Sequence, residues 1–159
     1  MLPKNSKIDL INVAFADDAP DRITAIAAHK ELQQIHANHN LNLILLDKSL
    51  DDVYQQEKLF LNIIYPKITH MDFNIAMILR LASAYNVETR VLLSGLGADE
   101  IFAGYARYRH AIKRGGNDLL EEMNFDLIRL WIRNLGRDDR AVSSMGKELR
   151  FPFLNLELI

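Results

Sequence analysis

The chain has 159 residues, of which 49% are hydrophobic, and this length and composition fit a single domain with its own core. A formal charge of −2 gives no electrostatic basis for binding nucleic acid or a membrane, so we expect small-molecule or protein partners. The absence of cysteine excludes disulfides, thiolate metal ligands and a cysteine nucleophile. No apolar run resembles a signal peptide or reaches the roughly 20 residues of a membrane span, so we expect a cytoplasmic protein.

The first 46 residues predict a strand, a helix and a second strand. Residues 8–15 are an apolar run that ends in a turn signal, which favours a strand. Asp21 then stands where a helix N-cap is expected. The inner face of this helix is predicted to carry Ile23, Ile26, Ala27, Leu32 and Ile35. Residues 41–46 are apolar except for Asn42, which is typical of a parallel strand covered on both faces.

Two helices and a third strand are predicted next. One helix runs over 49–64 and stops before Tyr65-Pro66, because the residue before a proline favours an extended backbone. Another runs over 71–85, with an inner side formed by Ile75, Ile78, Leu79 and Ala82. Residues 91–93 then read as the end of a buried strand.

The rest of the chain is predicted to be helical with a loop-rich tail. A helix over 99–113 is followed by a break at Gly115-Gly116 and by a longer helix over 117–134. Its inward residues are predicted to be Leu119, Leu120, Met123, Leu127, Leu130 and Trp131. This order of elements predicts an α/β fold with a mostly parallel sheet flanked by helices, whose crossovers are right-handed.

The stretch 94–100 places two glycines and two acidic residues directly after the third strand. Gly95 and Gly97 read as a turn, and Asp99 as the opening of a helix, which is the layout of a phosphate-binding turn. Two carboxylates would repel a bare phosphate unless a divalent metal lay between them, so the stretch suggests a nucleotide with Mg²⁺. The alternative is a plain strand-to-helix turn in which both glycines supply positive φ and Asp99 caps the helix.

Two other groups of residues carry weaker hypotheses. His29, His36 and His39 lie on or just after one helix and could hold a metal, but a solvated helix face is favoured because no acidic or sulfur ligand accompanies them. A second group is basic and aromatic, and a solvated face is favoured over contact with a phosphate or a protein. It consists of Tyr105, Arg107, Tyr108, Arg109, Lys113 and Arg114.

Three segments, 94–105, 134–140 and 146–155, together carry a family resemblance. The chain resembles the synthetase domain of glutamine-hydrolysing asparagine synthetases, and among them the eukaryotic asparagine synthetase domain-containing proteins. The resemblance implies a Rossmann-like, adenine-nucleotide alpha-hydrolase-like fold in one partial domain, α/β over about 1–98 and helical over about 99–159. It also implies ATP-dependent adenylylation of the aspartate β-carboxylate, attack by ammonia, and release of AMP and pyrophosphate.

The resemblance implies roles for residues of the glycine loop. By match to the family motif, Ser94 and Gly95 contact the nucleotide, with Gly97 in the same loop, and Asp99 binds Mg²⁺. Phe15 falls where the family's chain runs past the adenine, although we favour core packing for its ring.

Arg137 matches a family arginine near the phosphates. A planar cation there could stabilise charge that develops on the leaving group. The alternative for Arg137 is a surface ion pair with Asp138 or Asp139.

Four departures from the family pattern bear on activity. The family's pyrophosphate loop, Ser-Gly-Gly-x-Asp-Ser, is missing together with the strand before it, so the sheet is expected to be truncated at its N-terminal strand. We expect the chain to re-pair its strands, to borrow a strand or to fold poorly, because unpaired edges between the strands at 8–15 and 91–94 leave backbone groups unsatisfied. Leu96 and Asn134 stand where Glu and Asp are expected, and by the resemblance we expect neither the catalytic lysine region nor the glutaminase domain among these residues.

Two functions follow from these observations. One is an asparagine synthetase-like enzyme that is active only if another segment or protein partner supplies the missing parts. The other is a non-catalytic homologue that acts as an interaction or regulatory module.

Overall fold

The protein is described from a computed structural model, which describes residues 6–36, 39–66, 68–85, 88–116 and 118–159. By its internal contacts the chain divides into two compact units, Met1–Leu59 and Phe60–Ile159. None of the helices in the described residues is both long and apolar enough to span a bilayer.

The first unit is a β-α-β arrangement followed by a short helix. Strand β1 (Lys7–Ala14) is joined by α1 (Pro20–Ile35) to β2 (Asn40–Asp47), and α2 (Leu50–Tyr54) follows. The two strands pair in parallel, with Ile8 opposite Leu41 and Ala14 opposite Asp47. Both predicted strands are confirmed within one residue at each end, because runs rich in Ile, Leu and Val suit a pleated surface.

Helix α1 differs from its prediction at its start and on its buried face. It begins with Pro20 after the N-cap residue Ala19, which makes no side-chain cap, so Asp21 lies in the first turn. Arg22 is buried, whereas Ile23 and Ile35 of the predicted inner face are exposed. The inner face is rotated because Arg22 turns inward, where its Nη2 donates a hydrogen bond to the Leu46 carbonyl oxygen at 3.1 Å.

The predicted helix over 49–64 is two helices. Ser49 and Asp52 form a capping box that starts α2, with the Asp52 N–H donating to Ser49 Oγ at 3.2 Å. A turn then interrupts the helix, and α3 (Glu57–Ile64) spans the boundary between the two units. The predicted end before Tyr65-Pro66 is confirmed.

The second unit contains most of the helices. Its helix α4 (His70–Ser83) packs on the end of α3 around a core of Ile64, Ala76 and Ala141, with Leu61, Ile63, Phe73 and Leu79 against it. The buried residues of α4 are Asp72, Ala76, Met77 and Ser83. Ile78 is exposed, so its predicted inward position is wrong, because the buried stripe follows Asp72 at steps of about four residues.

Two short parallel strands lie in this unit. Strand β3 (Val91–Leu93), which is confirmed, pairs with β4 (Glu148–Arg150), with Val91 opposite Glu148. The second strand lies in the tail that we predicted to be loop-rich, because its alternation of Glu, Leu and Arg covers only three residues, too few to indicate a strand.

The sheet differs from the single sheet that the sequence predicts. The described residues contain two two-stranded parallel sheets, β1–β2 in the first unit and β3–β4 in the second. The α/β class with small parallel sheets is therefore confirmed, and the re-pairing of the strands at 8–15 and 91–94 stays a prediction.

The helices between the two strands are more broken than predicted. The helix over 99–113 is divided into α5 (Ala98–Ile101) and α6 (Ala106–Lys113), because Ala103 adopts a positive φ of 54°. Helix α7 (Leu119–Leu130) follows, and residue 117, its predicted start, lies outside the described residues.

The helical conformation continues past residue 134, where the helix was predicted to end. A π-helical segment (Trp131–Leu135) connects α7 to α8 (Gly136–Ser143), and Gly136 is helical with φ −66°. Leu120 and Trp131 are exposed, so their predicted inward positions are wrong. Leu120 lies one residue off the buried stripe of α7, and the wider π turn rotates the side chains that follow.

Candidate functional site

The loop from Ser94 to Gly97 connects β3 to α5 and is fixed to the end of the β3–β4 sheet. The Ser94 N–H donates to the Arg150 carbonyl oxygen at 2.9 Å, which continues the strand pairing by one residue. Ser94 Oγ accepts a hydrogen bond from the Leu96 N–H at 3.2 Å. The hydroxyl predicted to contact a nucleotide therefore lies inside the turn and organises its backbone.

The two loop glycines have different roles. Gly97 has a φ of +98°, and a β-carbon there would lie 3.0 Å from Leu154 Cγ, so both conformation and space favour glycine. Gly95 has no positive φ, and the space around its Cα is open. The predicted positive φ is thus confirmed for Gly97 and wrong for Gly95. The open side of Gly95 leaves room for a ligand to approach the backbone.

Asp99 is exposed and lies against Gly104. The Gly104 N–H donates to the Asp99 carbonyl oxygen at 2.9 Å. A β-carbon at Gly104 would lie 3.1 Å from Asp99 Cγ, and its carboxylate oxygen Oδ1 would be nearer still. The N-cap of α5 is Gly97 and no side chain caps this helix, so the alternative role of Asp99 as a cap is wrong.

Glu100 is buried, whereas its neighbour Asp99 is exposed. Its side chain is only 4% exposed, and Tyr105 donates its hydroxyl hydrogen to Glu100 Oε1 at 2.8 Å. Burial and this hydrogen bond raise the pKa of Tyr105 well above its ordinary value. Of the two neighbouring carboxylates, Glu100 therefore makes a structural contact with Tyr105, and Asp99 remains accessible.

The chemistry of these residues fits a magnesium ion that is shared with phosphate groups. Mg²⁺ takes oxygen ligands, retains water and is held by one or two carboxylates together with substrate phosphates. Asp99 supplies one accessible carboxylate beside the glycine loop. Within the described ranges there is no cluster of three or more histidine and acidic side chains that would hold a metal without such a ligand.

Phe15 lies in the first unit, at the carboxyl ends of β1 and β2. A pocket of about 330 Å³ is found there, lined by residues 14–17 and 47–49. Phe15 is half-buried and lines this pocket, so its ring is not enclosed in a core as we favoured. The edge of a parallel sheet where strands end is the usual place for a ligand in this fold class.

Arg22 lies beside this pocket, next to its lining residue Asp47, and the sequence pattern did not indicate that it is buried there. Its guanidinium forms an ion pair of 2.7 Å with Asp47 and also bonds to the strand end. Its Nε is buried without a hydrogen-bond partner among the described residues. A charged residue in the first turn of a helix usually faces water, so no local signal marks it as buried.

Arg137 lies in a buried charged cluster of the second unit. Its Nη1 donates to Asp72 Oδ1 and its Nε to Asp138 Oδ1, both at 2.7 Å. The predicted alternative of a pair with Asp138 is therefore confirmed in its partner, but wrong in being at the surface, because both side chains are only 4% exposed. Asp72, which is 65 residues away in sequence, completes the cluster.

The charges of this cluster affect one another. Burial lowers the pKa of Arg137, but the bonds to Asp138 and Asp72 outweigh burial and raise it. Burial also raises the pKa of Asp138, and repulsion by Asp72 adds to that rise, although Arg137 opposes it. One guanidinium is shared by two carboxylates, so the second carboxylate is incompletely compensated.

The remaining candidates have local contacts. A ring nitrogen of His29 lies 3.2 Å from the Leu41 carbonyl oxygen, while His36 and His39 meet edge to face with centroids 5.9 Å apart. In the basic, aromatic segment, Tyr108 is fully buried and donates to Asp126 Oδ2 at 2.7 Å. The prediction of a solvated face is therefore wrong for Tyr108.

Comparison with known proteins gives consistent matches. Residues 4–120 match the family described as Asparagine synthase. An asparagine synthetase domain-containing protein of Drosophila melanogaster is 36% identical over 173 residues, which cover 96% of this chain and 31% of that protein. Asparagine synthetase domain-containing protein 1 of Gallus gallus is 35% identical over 157 residues, which cover 89% of this chain and 25% of that protein.

An archaeal relative is similar over a shorter stretch. A putative glutamine-hydrolysing asparagine synthetase of Methanocaldococcus jannaschii is 45% identical over 71 residues, which cover 44% of this chain and 13% of that protein. The chain spans about a quarter to a third of the length of the eukaryotic relatives it matches. Because the family match covers well over half of the chain, including the glycine loop and Asp99, the chain belongs to the Asparagine synthase family.

Proposed function

We propose that the chain is an asparagine synthetase-like domain that binds ATP with Mg²⁺ in the cytoplasm. The observation that carries the proposal is the accessible Asp99 carboxylate, held against Gly104 beside a glycine loop at the end of a parallel strand. In this proposal Asp99 holds the metal, which supplies positive charge to the phosphates. The backbone at Ser94, Gly95 and Gly97 borders the nucleotide.

The proposed reaction is the amidation of aspartate to asparagine, with release of AMP and pyrophosphate. This choice of reaction is supported by the relatives, which are named as asparagine synthetase and asparagine synthetase domain-containing proteins. The pyrophosphate loop and an ammonia source are not among these 159 residues. We propose that another segment or a partner protein supplies them, and that both units of this chain are parts of one synthetase-like domain.

A second candidate function is ATP binding without catalysis, in an interaction or regulatory module. Leu96 favours this second candidate. It stands where the asparagine synthetases that the chain resembles carry Glu, and an apolar side chain neither takes up a proton nor stabilises a cation. The contacts of Arg137 favour it as well, since its guanidinium is committed to Asp72 and Asp138 rather than presented to a ligand.

Titration calorimetry of the purified chain with ATP in the presence of Mg²⁺ tests the proposal. We expect a Kd below about 1 mM, and weaker binding would be too weak to support it. Asp99→Ala should abolish the binding, and removal of Mg²⁺ with a chelator should have the same effect.

The matched control is Asp118→Ala, which removes an exposed carboxylate whose side chain makes no cap at the start of α7. This variant should bind ATP as the unchanged protein does. Release of pyrophosphate on addition of aspartate and ammonia, measured with a segment that carries the pyrophosphate loop added to the chain, then separates the two candidates: turnover supports the enzyme, and binding without turnover supports the module.

A further inference from the structure

The cleft between α6 and α7 is a second site in the same unit. The two helices follow one another through a turn at Gly115 and Gly116, which both have positive φ. Between them is a cavity of about 450 Å³. Its lining includes Arg107, His110 and Arg114 from the α6 side and Phe125 and Arg129 from the α7 side.

Two ion pairs form the walls of this cleft. Arg107 donates from Nε to Asp126 Oδ2 at 3.1 Å, and Arg114 donates from Nη2 to Glu122 Oε1 at 3.0 Å. A guanidinium carries five N–H donors, so each arginine retains donors beyond its pair. Both side chains are more than half exposed, which leaves those donors accessible to a ligand.

Arg129 and His110 also line the cleft but take no part in these two ion pairs. The Arg129 guanidinium lies 4.8 Å from the centroid of the Phe125 ring, a cation–π contact. Across the part of the chain that the structure describes, the side chains of Arg129 and His110 form no hydrogen bond and no ion pair. Phe125 is 59% exposed, so much of its ring surface faces the solvent. The cleft thus presents a guanidinium and an imidazole whose side chains donate no hydrogen bond among the described residues, together with an exposed aromatic ring.

We propose that this cleft binds a small organic phosphomonoester that carries a planar ring. A guanidinium recognises a phosphoryl group through two parallel hydrogen bonds, and an imidazole N–H adds a donor. The ring of the ligand would cover the exposed part of Phe125. The cavity volume lies within the range of small-molecule sites, about 300–1,000 Å³.

The charge of the cleft favours a phosphoryl group over a carboxylate. Three guanidinium groups face two carboxylates, which leaves one net positive charge without counting His110. A phosphomonoester carries nearly two negative charges at neutral pH and three acceptor oxygens, whereas a carboxylate carries one charge and two oxygens.

An NMR titration of the full chain tests the proposal with four probes: phenyl phosphate, inorganic phosphate, phenylacetate and benzyl alcohol. We expect phenyl phosphate to bind most tightly, with amide shifts concentrated in α6 and α7. Inorganic phosphate and phenylacetate should bind at least about fivefold more weakly, because each lacks either the ring or the second charge. Benzyl alcohol should not bind measurably.

Matched variants identify the groups responsible. Arg129→Gln should weaken phenyl phosphate binding at least about tenfold, because a charged hydrogen-bond donor pair is lost. Arg109→Gln removes the same charge from the exposed side of α6 outside the cleft, and should change the affinity less than twofold. Phe125→Leu should reduce the preference for phenyl phosphate over inorganic phosphate.

Three results would overturn the proposal: no binding of phenyl phosphate at 10 mM, equal weakening by Arg109→Gln and Arg129→Gln, or equal affinity for phenylacetate and phenyl phosphate. Asp99→Ala should leave phenyl phosphate binding unchanged. This variant separates the cleft from the proposed nucleotide site, since either site can fail without the other.

Discussion

The carboxylate of Asp99 occupies the space that a β-carbon at Gly104 would need. Such a carbon would lie 3.1 Å from Asp99 Cγ and 3.2 Å from Asp99 Cα. The hydrogen bond from the Gly104 N–H to the Asp99 carbonyl oxygen closes the turn between them. Glycine at 104 is therefore part of what sets the position of the proposed metal ligand.

Gly104→Ala is predicted to weaken Mg²⁺-dependent ATP binding by about tenfold, or about 1.4 kcal/mol, with little loss of stability. The reason is that the nearest obstacle is the end of the carboxylate, which can rotate away, while the Asp99 Cα at 3.2 Å requires a backbone shift of only a few tenths of an ångström. Calorimetry gives the affinity and thermal unfolding gives the stability.

Gly136→Ala is the control for that substitution, because Gly136 is helical and its nearest neighbour is the Arg140 guanidinium at 3.1 Å. It should leave ATP affinity unchanged. Tight ATP binding by Gly104→Ala would show that the position of Asp99 does not matter for the nucleotide.

Gly97→Ala is predicted to destabilise the second unit by about 2–4 kcal/mol. A left-handed φ costs an alanine about 1–2 kcal/mol, and the overlap with Leu154 adds to that cost. Chemical denaturation measures the difference. Gly95→Ala, which meets nothing and has no positive φ, should change stability by less than about 0.5 kcal/mol.

The contributions of backbone strain and of overlap with Leu154 to the destabilisation by Gly97→Ala can be measured separately. In a Leu154→Ala background the overlap is gone but the backbone strain remains, so the cost of Gly97→Ala should fall towards about 1–2 kcal/mol. An unchanged cost in that background would mean that the contact with Leu154 contributes nothing.

Local pattern was sufficient for three of the four described strands and for the turn at Gly97. β1, β2 and β3 are apolar runs bounded by turn residues, and the glycine at 97 supplies the positive φ that its sequence position suggests. Local pattern was insufficient where a contact with a residue distant in sequence determines that a side chain is buried. Asp72 and Arg137 are 65 residues apart, and no periodicity within either helix indicates that they meet.

The helix that runs through Gly136 is a further example. Glycine normally marks the end of a helix, but the π-helical segment before Gly136 passes directly into α8. Packing of α8 against α4 through Ala141 and Ala76 holds this continuation. Tertiary contact therefore overrides the local stop signal.

Arg137→Met is predicted to destabilise the second unit by about 3–5 kcal/mol, because it leaves the buried carboxylates of Asp72 and Asp138 without their cation. Arg133→Met, an exposed position in the π-helical segment, is the control and should stay within about 0.5 kcal/mol. Urea denaturation measures both. If both variants unfold at the same urea concentration, the cluster contributes no stability.

Asp138→Asn is predicted to change how stability depends on pH. The pKa of Asp138 is raised in the folded protein from an ordinary value of 3.8, chiefly by burial, so the folded state binds its proton more tightly than the unfolded state. This contribution to the free energy of unfolding is complete below about pH 3.8 and is lost as pH rises through the higher folded-state pKa.

Asparagine is neutral at every pH, like the protonated aspartic acid, so the variant lacks that loss. The free energy of unfolding of Asp138→Asn minus that of the unchanged protein should therefore increase as pH rises from 4 towards 7. Urea denaturation at several pH values measures the difference. A difference that stays constant or decreases over this range would mean that the Asp138 carboxylate is not penalised in the fold, and that Arg137 compensates both of its acidic partners.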